Sequence, residues 1–150
     1  MSESEQLEAF GVSARAENET ETTVETRGFS FTVDEPEALG GTDEGPNPVE
    51  YLLGAWAGCL NVVAHTVAEE RDIEIRDLKI DLEGGLDPKK FLGFAEDVRA
   101  GYQEIDVTLS VDTDADEDAL EAWLAEVEDR CPVGDNVQNA TPASVSFEKR

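Results

Sequence analysis

Two cysteines are the residues of this chain best suited to chemistry. Cys59 lies near the middle of the stretch GPNPVEYLLGAWAGCLNVVAHTVAEE (residues 45–70), and Cys131 directly precedes Pro132. Two thiols that meet can pass through a sulfenic acid to a disulfide and back. Either one can also be a small core residue, because free cysteine is among the most buried residue types.

Cys59 is predicted to lie on the apolar face of a long central helix over residues 48–70. Asn47 suits the N-cap and Pro48 the first helical position. Cys59 is seven residues from Leu52 and therefore shares its face. The apolar positions that recur at helical spacing are Val49, Leu52, Leu53, Trp56, Leu60, Val63 and Val67. Burial alone would raise the pKa of this thiol, so a reactive Cys59 requires a positively charged partner.

Cys131 is predicted to end one helix and begin another. It extends the apolar stripe of a second helix over residues 114–130, whose members are Leu120, Trp123, Leu124 and Val127. Pro132 disfavours helical geometry at Cys131 and suits the start of a short helix over residues 132–139. The sulfur would then face unpaired N–H groups, an environment that favours the thiolate. The alternative is that a cysteine at this helix start is incidental.

The remaining pattern indicates a single α+β domain over residues 1–150. Strands are predicted at 10–17, 20–28 and 29–36, with Phe10, Val12 and Ala14 on one side of the first strand, and with Phe29, Phe31 and Val33 facing inward. A glycine- and proline-rich loop precedes the central helix. Strands follow at 74–85 and 102–113, separated by a loop or short helix, and a last strand is predicted at 143–149.

The charge excludes several classes of function. The chain has 36 acidic and 11 basic residues, and its net charge of -25 disfavours nucleic acid and anionic membranes as partners. Acids spread over the whole chain, with only four lysines, suit a halophilic protein in concentrated salt. The start has no secretory pattern, and we expect no segment to approach the apolar length of a membrane span, so the sequence predicts a cytoplasmic protein. With one histidine, His65, a metal site or Cys-His hydrolase is poorly supported.

The motif GPNPVEYLLGAWAGCLNVVA, followed much later by CPV, resembles the OsmC/Ohr family of thiol-dependent peroxidases, the osmotically inducible and organic hydroperoxide resistance proteins. The resemblance covers nearly the whole chain. It implies an OsmC-like fold in which antiparallel sheets wrap two central helices in an intertwined homodimer, with active sites at the subunit interface. It also implies that Cys59 is the peroxidatic thiol and Cys131 the resolving one.

The resemblance implies two further catalytic residues, for which this chain departs from the family pattern. An arginine of the N-terminal strands would stabilise the thiolate, and Arg27 is the preferred candidate over Arg15. The family's glutamate usually follows directly after NP, whereas here Val49 takes that place and Glu50 comes one residue later. Glu50 is therefore a candidate catalytic residue that also suits a helix-capping role.

The resulting hypothesis is a cofactor-free peroxidase that reduces organic hydroperoxides and is reset by an external dithiol. Two alternatives remain open on the same scaffold. One is a non-enzymatic protein that binds a small ligand in an apolar groove. The other is a redox sensor that forms the disulfide without turning over.

Overall fold

The computed structural model describes residues 6–150, which form two compact units that meet in sequence after Leu52. The first unit contains β1 (Ser13–Ala16), β2 (Thr22–Thr26) and β3 (Phe29–Val33), paired antiparallel in the order β1-β2-β3. The three strands expected from the alternating pattern are confirmed, and they form one sheet. Its strands are shorter than predicted, since β1 omits Phe10 and Val12.

The apolar face of this sheet is not buried within its own unit. The strand register aligns Ala14 with Val24 and Val24 with Phe31 on one face. Phe29 is 62% exposed and Phe31 is 37% exposed, so the prediction that these two side chains face inward is wrong for this unit taken alone. Period-2 alternation identifies the apolar face of a strand, but a layer that covers that face must come from elsewhere.

Asp34 organises the loop between β3 and the first helix. Its buried carboxylate accepts hydrogen bonds from the backbone N–H groups of Glu35 (2.7 Å) and Glu44 (3.1 Å), and also from the Thr42 hydroxyl. Burial by itself would raise the pKa of Asp34, but hydrogen bonds from Thr42, Thr20 and these N–H groups hold it well below its usual range. The loop is thus built around one ionised side chain.

Helix α1 (Pro48–Glu70) is the long helix that the sequence predicted. Its buried residues are Trp56, Leu60, Ala64, Val67 and Ala68. Leu52 remains 42% exposed, so the apolar stripe is buried only from Trp56 onward. By length and composition alone α1 is apolar enough to cross a membrane, which corrects the expectation that no segment approaches this limit. Its buried residues form the core of the second unit, as expected for the central helix of a folded domain.

The second unit continues with the antiparallel pair β4 (Asp77–Leu86) and β5 (Tyr102–Asp112). Both strands were predicted. In β5 every second residue packs against the core, namely Ile105, Val107, Leu109 and Val111. Turns and bends occupy residues 88–94 of the connection, which contains no helix. The fold class is therefore α+β with two antiparallel sheets, while the homodimer and the single-domain boundary stay predictions.

Helix α2 (Glu117–Arg130) and helix α3 (Pro132–Gln138) complete the unit. Asp116 caps α2 by accepting the N–H of Ala119 at 2.9 Å, so this helix starts three residues later than predicted. The strand predicted at 143–149 is wrong, because residues 141–150 have no regular secondary structure and Phe147 is 92% exposed. A strand needs a neighbour for its backbone hydrogen bonds, and this segment pairs with none in the described chain.

Candidate functional site

The two sulfur atoms lie 3.2 Å apart, although their residues are 72 positions apart in sequence. Both cysteines are free, and the Cys131 thiol donates a hydrogen bond to the sulfur of Cys59. A disulfide bond measures about 2.05 Å, so closing it requires a sulfur displacement of about 1 Å. The sequence predicted each helical setting but could not give this distance.

Cys59 lies at the edge of the buried stripe of α1. Its neighbours along the stripe, Trp56 and Leu60, are buried, whereas Cys59 itself is only partly buried. The prediction that Cys59 lies on the apolar face of α1 is confirmed, because its side chain packs against the core while staying partly exposed. A partly buried thiol is open to a small reactant while keeping apolar neighbours.

Cys131 is the residue at which α2 ends and α3 begins, as predicted from Pro132. Its backbone is extended, with φ at -84° and ψ at 110°, and its sulfur accepts the N–H of Gly134 at 3.4 Å. Its carbonyl oxygen accepts the N–H of Asp135 at 2.9 Å, which starts the hydrogen-bonding pattern of α3. Cys131 is thus the N-cap of α3 through both its backbone and its side chain.

Burial opposes ionisation of Cys131. Desolvation raises the pKa of this thiol, and the hydrogen bond with Cys59 raises it further, while the N–H groups of Gly134 and Val133 act in the opposite direction. The prediction that the helix start favours a Cys131 thiolate is therefore wrong, because burial outweighs the hydrogen bonds at the cap. A protonated Cys131 can donate to Cys59, as the observed hydrogen bond requires.

Close packing fixes the position of Cys131 against α1. A Cβ atom added to Gly134 would lie 2.9 Å from Nε1 of Trp56 and 3.5 Å from Cβ of Cys131. The indole of Trp123 donates to the carbonyl of Ala64 at 2.8 Å, which ties α2 to α1. The two helices therefore hold the sulfurs together through several contacts.

An ion-pair cluster joins the C-terminal ends of α1 and α2, one residue before Cys131. Arg130 contacts Glu70 at 2.6 Å and Glu126 at 2.5 Å, and Arg71 also contacts Glu126, at 2.8 Å. Hydrogen bonds from Arg130 lower the pKa of Glu70, and those from Arg71 and Arg130 lower the pKa of Glu126. Arg130 is adjacent to Cys131 in sequence, but its guanidinium already pairs with two glutamates. It is therefore poorly suited to stabilise a thiolate.

A cavity of about 470 Å³ lies between β5 and α2 and reaches Cys131. Its apolar lining includes Trp56, Leu60, Val107, Leu109, Leu120 and Leu124. Cys131 lines it together with Gly134, whereas Cys59 does not. Among the described residues, the charged side chains that line this cavity are Glu117, Glu121 and Glu128. All three are exposed residues of α2, and together they are called the acidic rim.

The other predicted site residues belong to the first unit. Arg15 is exposed in β1, opposite Thr23. Arg27 occupies the two-residue turn between β2 and β3 with a φ of 49°, and its guanidinium carbon lies 5.3 Å from the ring centre of Phe29. Positive φ at both Arg27 and Gly28 is what a two-residue type I′ hairpin turn requires, so the turn itself accounts for this conformation. The roles of both arginines at the thiol stay predictions.

Glu50 takes part in a reciprocal capping box at the start of α1. Its carboxylate accepts the N–H of Asn47 at 2.8 Å, and its own N–H donates to the Asn47 side chain at 2.9 Å. The capping alternative noted from the sequence therefore has direct hydrogen bonds, whereas the catalytic assignment of Glu50 stays a prediction.

Sequence reasoning missed Gly134 and the acidic rim. The available signal for Gly134 was a glycine in the first turn of a predicted helix, where most other residues stabilise a helix better. The rim could not be distinguished by sequence among 36 acidic residues, because only the fold brings three of them to one cavity.

Comparisons with known proteins agree with this architecture. The family model for OsmC-like proteins matches residues 41–146, which include both cysteines. A crystal structure of an OsmC-like protein from Mycoplasma pneumoniae superposes with a TM-score of 0.78 at 22% identity, over 89% of each chain.

Two proteins of Bacillus subtilis are also similar. The crystal structure of the organic hydroperoxide resistance protein OhrB superposes with a TM-score of 0.59 at 25% identity, over 88% of this chain and 92% of that one. The uncharacterized protein YmaD is 34% identical over 62 residues, a stretch that spans 41% of each protein. Because the family model spans most of the sequence and the fold agrees with it, this chain belongs to the family of OsmC-like proteins.

Proposed function

We propose that this protein is a thiol-dependent peroxidase that reduces organic hydroperoxides. The observation that carries the proposal is the 3.2 Å separation of the Cys59 and Cys131 sulfurs. The similarity to OhrB, named for organic hydroperoxide resistance, supports the same class of substrate. Cys59 is assigned as the peroxidatic thiol and Cys131 as the resolving thiol.

The proposed reaction uses only the two sulfurs and an external reductant. The Cys59 thiolate attacks the distal peroxide oxygen, the O–O bond breaks, and the alkoxide takes a proton and leaves as the alcohol. Cys131 then loses its proton and attacks the Cys59 sulfenic acid, forming the disulfide and releasing water. An external dithiol reduces this disulfide and is itself oxidised.

The environment of the thiols suits this order of events. Cys131 is 1% exposed and its pKa is raised by burial, so it remains a thiol until a sulfenic acid forms beside it. Cys59 is the more exposed of the two. We assign activation of Cys59 to Arg27, with Arg15 as the alternative and Glu50 as a third catalytic candidate.

Free-thiol counting tests the proposal directly. One equivalent of an organic hydroperoxide is expected to reduce the count from two thiols per chain to none, and a dithiol is expected to restore both. In Cys131→Ser the same treatment should leave a Cys59 sulfenic acid that a dimedone probe labels. Cys59→Ser should give no label, and an unchanged count in the native protein would reject the peroxidase.

We also propose that the protein works as a cytoplasmic homodimer. The exposed apolar face of the β1-β2-β3 sheet supports this assembly, since Phe29 and Phe31 are both open to solvent in the single chain. Apolar patches of this kind mark interaction surfaces. The C-terminal segment, with Val145 and Phe147 exposed, is a second candidate for pairing with another copy.

The cavity supports one alternative, a binding protein without turnover. Its volume of about 470 Å³ and its apolar lining are suited to a small ligand. Such a protein would change the fluorescence of Trp56 or Trp123 with ligand, yet it would consume no hydroperoxide in the presence of excess dithiol. Steady consumption with excess dithiol selects the peroxidase.

A further inference from the structure

The cavity between β5 and α2 reaches one cysteine of the pair and not the other. Cys131 and Gly134 line it, while Cys59 is absent from its lining. A reactant in this cavity therefore lies on the Cys131 side of the pair, and because Cys131 is 1% exposed, the lining must move locally for the reactant to touch its sulfur. Cys59 is the more exposed cysteine, so a hydroperoxide can reach it without entering this cavity, and the cavity is then open to a different reactant.

We propose that the cavity is the entry site for the thiol that reduces the Cys59–Cys131 disulfide, that this thiol attacks Cys131, and that the acidic rim selects neutral or cationic thiols over anionic ones. The inference rests on the proposed function, because it concerns the second half of the same cycle.

The step balances with a dithiol as reductant. One thiolate of the dithiol attacks the Cys131 sulfur, the bond between Cys59 and Cys131 breaks, and Cys59 leaves as a thiolate. The second thiol of the reductant then loses its proton and attacks the reductant's other sulfur, which is bonded to Cys131 in the mixed disulfide. This attack closes the disulfide of the reductant and releases Cys131 as a thiolate, which takes up a proton. The protein gains two electrons and the reductant becomes a disulfide.

The size and charge of the cavity support this choice of reactant. About 470 Å³ is enough for a small organic dithiol, and the apolar side chains of Leu120 and Leu124 would contact its carbon chain. Glu117, Glu121 and Glu128 place three carboxylates on the same cavity, and the cavity is lined by no lysine or arginine among the described residues. The negative potential of these carboxylates would repel an anionic thiol reagent.

Reduction kinetics of the preformed disulfide test the charge selection. The disulfide is made with diamide, so the test does not depend on reaction with a hydroperoxide. Cysteamine, 2-mercaptoethanol and 2-mercaptoethanesulfonate are compared at low ionic strength, each rate being divided by its rate on a small neutral disulfide. We expect the anionic thiol to be slowest.

Paired substitutions separate the acidic rim from the general negative charge. The double variant Glu121→Gln with Glu128→Gln should raise the relative rate of the anionic thiol about threefold. The control, Glu83→Gln with Glu104→Gln, makes the same change in net charge at exposed strand positions outside the cavity and should have a smaller effect. Equal effects of the two double variants would overturn the charge selection.

The position of attack has its own readout. After a brief reaction with a limiting monothiol, rapid alkylation and peptide mass spectrometry should find the adduct on Cys131 and the alkyl group on Cys59. Leu124→Trp should fill the cavity and slow reduction, whereas Ala122→Trp, at an exposed α2 position outside the cavity, should not.

Two results would overturn the entry site. One is an adduct mainly on Cys59, and the other is an equal rate in both tryptophan variants, as expected if a second copy of the chain covers the cavity. These results differ from those expected if the proposed peroxidase function is wrong. In that case the hydroperoxide would leave both thiols free, while the disulfide made with diamide could still be reduced through the cavity.

Discussion

Gly134 is the residue whose size sets the distance between Cys131 and α1. Because an added Cβ would lie 2.9 Å from the indole nitrogen of Trp56, the indole or the first turn of α3 must move in Gly134→Ala. We expect this overpacking to lower the free energy of unfolding by about 2 kcal/mol. Disulfide formation should slow about tenfold, since the sulfurs depend on this contact for their alignment. Thermal unfolding and stopped-flow thiol oxidation measure the two effects.

A matched substitution tests whether the effect is local to the site. A Cβ on Gly101 would lie 4.0 Å from Nε of Arg99, which is an ordinary contact distance. Gly101→Ala should therefore leave the rate of disulfide formation unchanged. A native rate in Gly134→Ala would show that the packing of α3 does not control the alignment of the thiols.

Residue identity predicted the candidate thiols but not their ionisation. Pro132 was sufficient to predict that Cys131 begins a helix, because the effect of proline on its neighbour is local. The pKa of Cys131 depends on desolvation by residues from α1 and α2, so the sequence pattern alone gave the wrong direction. The proximity of the sulfurs likewise depends on the packing of two helices.

At the scale of elements, the loop after β3 depends on the ionised Asp34. Its pKa is lowered in the folded state, so the unfolded state binds the proton more readily and the stabilisation is present above the unfolded pKa of about 4. This contribution is lost as the pH falls below that value. Asp34→Asn should thus have a lower Tm than the native protein at pH 7, and the difference should shrink below about pH 4.

The neighbouring acid Asp43 provides the control for this loop. Asp43 is exposed with a φ of 54°, a conformation that asparagine adopts readily. Asp43→Asn should change the Tm little at any pH, as followed by circular dichroism from pH 2 to 7. A Tm difference for Asp34→Asn that stays constant over this range would contradict the role of the carboxylate charge.

The start of α1 allows the structural and catalytic roles of Glu50 to be separated. Glu50→Ala removes the capping box and should lower the free energy of unfolding by about 1 kcal/mol. Glu50→Gln can keep both hydrogen bonds and should therefore retain most of the stability. Denaturant unfolding measures these differences.

The rate of Cys59 oxidation in Glu50→Gln provides the second readout. A purely structural Glu50 predicts a native rate, because the cap is kept. A slower rate at unchanged stability would show the catalytic role that the family resemblance implies. Equal stability of the alanine and native proteins would contradict the capping role.

Elements with local signals were predicted better than those that depend on a neighbour. Helix α1 has its own cap, apolar stripe and backbone hydrogen bonds, and its bounds were predicted correctly. Strands β4 and β5 were both predicted from their alternating segments, whereas their antiparallel pairing is a finding of the structure. The segment 143–149 alternates in the same way but has no adjacent strand in sequence, so alternation alone predicted a strand that the single chain does not form.

At the scale of the whole molecule, the exposed side of α1 is a testable dimer surface. Val62 is 64% exposed and lies on the side opposite the buried stripe, and Gly54 and Gly58 leave open space along the helix. The family resemblance implies two central helices in the homodimer, and this surface would let them approach closely. We expect the native protein to have twice the chain mass of 16.3 kDa by light scattering.

Val62→Arg should dissociate this dimer, because a buried unpaired guanidinium at the helix contact is strongly unfavourable. Ala122→Arg makes a similar change at an exposed position of α2 and should leave the mass unchanged. Circular dichroism of both variants shows whether the fold is kept. A native protein that remains at 16.3 kDa at micromolar concentration would contradict the dimer. A Val62→Arg variant that is still dimeric would show that the subunit contact lies elsewhere. The exposed Phe29 and Phe31 of the first sheet would then be the next positions to substitute.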